Sequence, residues 1–137
     1  MAMRITFELR VFDDVDVQHQ VITMRALLEA LVAANTKYLV ERGSKMKSFD
    51  YWTKEGGVHY REHKSELLWL DIPSIIAHGF GDAKDLACWR VAELRLKGED
   101  DVHPFIKVSR DEKTDATIWR VGVRHKDKIE WFDDAAR

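Results

Sequence analysis

The chain has 137 residues, 45% of them apolar and five of them tryptophan, which is enough to close one hydrophobic core and excludes a disordered polypeptide. Its 22 basic and 24 acidic residues leave a net charge of −2, so nothing global favours a nucleic acid or an anionic membrane as partner. A single cysteine excludes an internal disulfide and fits a reducing compartment, no signal-peptide pattern opens the sequence, and no apolar run nears the roughly 20 residues that cross a bilayer.

Residues 3 to 12 alternate, with Ile5, Phe7, Leu9 and Val11 on one face and charged or polar residues on the other, which predicts a half-buried strand. The acidic Asp13-Asp14-Val15-Asp16 follows as a turn. From about Val21 to Glu41 the period becomes helical, with Leu27, Leu28, Leu31, Val32, Tyr38 and Leu39 on one stripe, and Arg42-Gly43 closes that helix. Residues 44 to 70 are less regular. Gly56-Gly57 marks a turn there, and Val58 to Arg61 predicts a short extended segment. Asp71 can cap a brief helix over Pro73 to His78, ended by Gly79. A helix from Ala83 to Leu96 stops at Gly98, and three strands are expected over 102–109, 117–124 and 128–132, joined by short polar turns. The order predicts a single α+β domain over residues 1–137: an N-terminal strand and long helix, then a second helix packed on an antiparallel three-strand meander.

The most informative stretch is Gly79-Phe80-Gly81-Asp82-Ala83-Lys84-Asp85-Leu86-Ala87-Cys88-Trp89-Arg90. Two glycines permit a tight approach to a helix start. Asp82 stands at the N-cap, where its carboxylate can accept from the Asp85 amide, and Asp85 adds charge to the first turn. The first helical position lies near the positive end of the helix dipole, where a cysteine would have its thiolate stabilised. Ala83 occupies it.

With Asp71-Ile72-Pro73 before it and Ala92-Glu93-Leu94-Arg95 after it, this segment resembles the nucleophile region of the transglutaminase-like superfamily, which has the papain-like fold. The similarity is closest to small members encoded in tailed-phage and prophage gene clusters, and it spans about 25 residues. The resemblance implies that Ala83 stands at the family's cysteine and Lys84 at the glutamate after it. It further implies that Arg120, in Trp119-Arg120-Val121-Gly122-Val123, stands at the histidine and Asp133 near the third catalytic position. Alanine cannot attack, and arginine stays protonated and cannot act as a general base. The implied function is a catalytically inactive domain that serves as a structural, protein-contacting component of a phage or phage-derived particle, in the bacterial cytoplasm or in the assembled virion. It would occur there in several copies, with no cofactor, metal, nucleic acid or membrane. Two alternatives remain open at this stage: a cysteine acyltransferase or hydrolase inactivated in this chain, and a peptide-binding module using the dead cleft.

Arg120, if it keeps the family's orientation, would point at the helix start and pair with Asp82 and Asp85 as structural parts of the former cleft. Tyr51 and Trp52, with Phe49 and Trp69, are the aromatic candidates for contacts with neighbours. Cys88 lies five residues after Ala83, about 140° around the helix, and is expected in the core with Leu86 and Trp89. His59 and His63 share metal-ligand spacing only if helical, and surface histidines are the expectation. His125 sits in the turn after the strand expected over 117–124. The charge runs 107–113 and 124–128 are expected to be solvated meander turns.

Overall fold

A computed structural model describes residues 17–62, 68–115 and 117–133. The strand expected over 3–12, the acidic turn after it and His63 lie outside these residues. Within them the chain is α+β, with helices α1 (Val17–Arg42), α2 (Phe49–Lys54), α3 (Ile72–His78) and α4 (Ala83–Leu96). The strands are β1 (His59–Tyr60), β2 (Phe80–Gly81), β3 (Val102–Arg110), β4 (Thr117–His125) and β5 (Lys128–Trp131). No described helix is long and apolar enough to cross a membrane.

Helix α1 begins four residues before the expected start and ends where Gly43 takes a positive φ of 56°. Its stripe buries Leu28 and Val32 against Ala87, Cys88, Val91 and Ala92 of α4. The meander is antiparallel in the order β3-β4-β5. Alternation sorts its residues cleanly. Val102, Ile106 and Val123 join that core, with Val108, Trp119 and Val121 packed beside them. The intervening residues, Phe105, Lys107, Ile118, Arg120 and Gly122 among them, fall on the opposite face. A second core forms on the other flank of α4, where Leu86 and Trp89 meet Phe49, Leu70, Ile72 and Ile75. Phe49 and Trp89 stack edge to face at 5.4 Å.

Helix α2 was not expected from residues 44 to 70. Ser48 caps it by accepting from the Tyr51 amide, and the buried Glu93 carboxylate of α4 accepts from the Phe49 amide at 2.7 Å. The tie is tertiary, so local composition carries no sign of it. β1 pairs in parallel with β2, placing His59 beside Phe80 and Tyr60 beside Gly81. Arg61 and the exposed His59 are therefore on extended chain, not helix, and no group of three or more potential metal ligands forms among the described residues.

Gly122 is required by a close approach. A Cβ there would lie 2.6 Å from the Glu130 carbonyl oxygen and 2.7 Å from the Trp131 ring. Gly122→Ala is expected to destabilise the fold by about 2 kcal/mol, as overpacking does, measured by urea denaturation. An unchanged midpoint would show that β5 is not seated as described.

Candidate functional site

The start of α4 is built by the expected capping box and by a residue whose role the sequence left unread. Asp82 accepts from the Asp85 amide and Asp85 from the Asp82 amide, each at 3.1 Å. The other Asp85 oxygen accepts from the Leu70 amide at 2.9 Å. Lys84 pairs with Asp82, stands 3.8 Å from Asp85 and donates to the Leu68 carbonyl at 2.8 Å. Its ammonium also lies over the Trp69 ring, 5.4 Å from the centroid. The segment 68–70 is thus strapped across the first turn of α4.

Burial dominates the electrostatics of Asp85. Taking its carboxylate out of water, with Asp82 beside it, raises its pKa from 3.8 to about 6, and Lys84 and the Leu70 amide offset only part of that. Gly81 allows this packing, since a Cβ there would lie 3.3 Å from the Asp85 Cβ.

Arg120 is not part of this cluster. The α4-facing side of β4 carries Trp119, Val121 and Val123, and Arg120 alternates to the far side of the sheet. There it binds Asp133 through two parallel bonds, Nε to Oδ2 at 2.7 Å and Nη2 to Oδ1 at 2.9 Å. Its guanidinium stacks on Trp131 at 4.0 Å. The expected pair of Arg120 with Asp82 and Asp85 is therefore corrected: Asp133 is its partner, and Lys84 does the work assigned to Arg120. The physical reason is the period of two, because a side chain cannot share a face with α4 when both its neighbours do. Asp133 also offsets the like-charged Lys107, directly opposite Arg120 in the β3–β4 register. Of the three residues singled out by the resemblance, the fold brings Arg120 and Asp133 together and leaves Ala83 at the start of α4.

Cys88 is fully buried, its thiol directed at the Leu28 carbonyl, and burial pushes its pKa far above the usual thiol range. It packs in the core, as expected. So do Leu86 and Trp89. Phe49 belongs to the second core and Trp69 packs against the first, so neither is an exposed contact. Trp52 leans inward on the second core, with its indole against Gly56, whereas Tyr51 lies under the Lys47 ammonium. His125 pairs with Glu99 at 3.1 Å. Lys107 to Arg110 belong to β3, so the first charge run is partly strand rather than turn. Two clefts, of about 280 and 300 Å³, lie away from Ala83: one beside Leu39, Met46 and Leu96, the other between Arg90, Leu94 and Lys128.

No protein-family model, curated protein or solved structure matches this chain.

The raised pKa of Asp85 has a definite sign. Between pH 3.8 and about 6 the folded chain keeps a proton on Asp85 that the unfolded chain has released. The stability this group contributes is full below the unfolded value and falls as pH rises through about 6, by an amount of order 2–3 kcal/mol. Urea titrations of the native protein and Asp85→Asn should show the native protein losing ground to the variant over that window. A pH-independent difference would mean that Asp85 is not buried as a carboxylate.

A double-mutant cycle on Arg120→Met and Asp133→Asn should give a favourable coupling that shrinks with added salt, whereas Arg120→Met with Asp82→Asn should give none.

Proposed function

We propose that the chain is a catalytically inactive domain of the transglutaminase-like type, kept for contacts with other protein subunits of a phage or phage-derived particle. The observation that carries this reading is the start of α4. The helix start at which the resemblance puts a nucleophile is intact but carries Ala83, which has no chemistry, and its carboxylates are tied to Lys84 and to the 68–70 segment. Arg120, at the position the resemblance gives to the imidazole, is engaged with Asp133 on the sheet face turned away from α4, so no base at 120 would meet a nucleophile at 83. With no nucleophile at 83 and no base brought to it from 120, scaffold and contact are the roles we assign to the domain. Tyr51, half-buried on α2 under Lys47, is the contact candidate in the middle segment.

Introduced thiols test this reading. Ala83→Cys, alone or with Arg120→His, is expected to react with iodoacetamide no faster than Lys37→Cys, whose parent side chain is 80% exposed on α1. Alkylation at position 83 tenfold faster than at position 37 would show a site still organised for catalysis and would overturn the reading.

A further inference from the structure

The face of the meander turned away from α1 and α4 has the composition of a contact surface. One-sided antiparallel sheets ordinarily present polar residues to water. Here that face carries Phe105 and Trp131, with rings 5.9 Å apart, flanked by Ile118 at 47% exposure and Ile129 at 40%. Among the described residues, α1 and α4 make the main helix contacts with the sheet, and both pack on its other side. The aromatic pair is held rigidly, because Trp131 rests on Gly122 and is capped by Arg120, itself fixed by Asp133. Rigid aromatic anchors lose little side-chain freedom when covered, and aromatic residues and arginine dominate binding energy at interfaces.

The charge on this face is specific. Lys107 and Arg124 are exposed, and no carboxylate among the described residues pairs with either; Arg124 donates only to the Lys126 carbonyl. Arg120 is neutralised by Asp133. The face is thus net positive on a chain whose net charge is −2.

We propose that this sheet face is a docking surface for a protein partner that presents an apolar patch edged by carboxylates. Ile118, Ile129 and the Phe105–Trp131 pair form the dry centre, with Lys107 and Arg124 as the charged rim. A single-stranded nucleic acid is the competing occupant, because sheets bearing aromatics and cations also stack bases. Two features favour protein. The Trp131 ring already carries the Arg120 guanidinium, and the two rings meet edge to face at 69°, which offers no open stacking platform. Among the described residues, Lys107 and Arg124 are also few against the several phosphate contacts that give nucleic-acid binding its strength.

The inference rests on the protein-contact role proposed above, and its test leaves position 83 untouched, so the two can fail separately. The probe is a fluorescein-labelled peptide of alternating glutamate and leucine, with a glutamine–leucine peptide and oligothymidylate as comparisons, followed by anisotropy. The native protein is expected to bind the glutamate peptide at least tenfold more tightly than either comparison. Lys107→Glu with Arg124→Glu should weaken binding at least tenfold, and Ile118→Ser with Ile129→Ser should do so with the melting temperature kept. Substitution of Ile22, exposed on α1, should change nothing. No binding of the peptide, equal binding by the charge-reversed variant, or tighter binding of oligothymidylate would each overturn the proposal.

Discussion

Burial of polar acceptors on the helices constrains the rest of the molecule, because a carboxylate or amide taken out of water has to be met by donors. Asp85 meets the Leu70 amide, Glu93 the Phe49 amide, and Asn35 of α1 the Ile72 amide at 3.0 Å. These three side chains do for segments without regular partners what a ladder does for a strand. Leu70 and Ile72 flank Asp71, the cap of α3, so one short stretch is held from both α4 and α1. Phe49 opens α2 and inserts its ring against Trp89. Leaving such a donor unmet in the interior costs about 1–3 kcal/mol. The apolar clusters on either flank of α4 can therefore form in only one arrangement.

The same framework explains what could be read along the chain. Helix α4 and its box, the Asp71 cap with Gly79 in the left-handed conformation, and the meander were all legible, since each rests on contacts within a few residues. Helix α2 was not, because its first amide is satisfied by a residue 44 positions away. Lys84 was named for what it replaces, and its role as counter-ion to two carboxylates needed the fold. Arg120 is the instructive case. Its alternation with the apolar Trp119 and Val121 is plain in the sequence and indicates which face meets α4. The resemblance pointed it the other way, and the period of two prevailed.

The two sites divide the chemistry of the chain. At the start of α4, Asp82, Lys84 and Asp85 bind one another and the backbone of 68–70. On the outer face of the sheet, Arg120 and Asp133 also satisfy each other, and in doing so they hold an aromatic surface in place. Ion pair and ring support are in this sense one arrangement: a planar guanidinium held by a carboxylate is well suited to stacking on an indole.

The single thiol has a practical meaning beyond its packing. Cys88 lies where α1 crosses α4, fully enclosed and hydrogen-bonded to the α1 backbone. A reagent reaches it only when those helices part, so its rate of modification in the native protein is a clock for that opening. Because Cys88 is the chain's single cysteine and is enclosed, a cysteine introduced on the surface can carry a probe that labels far faster than Cys88.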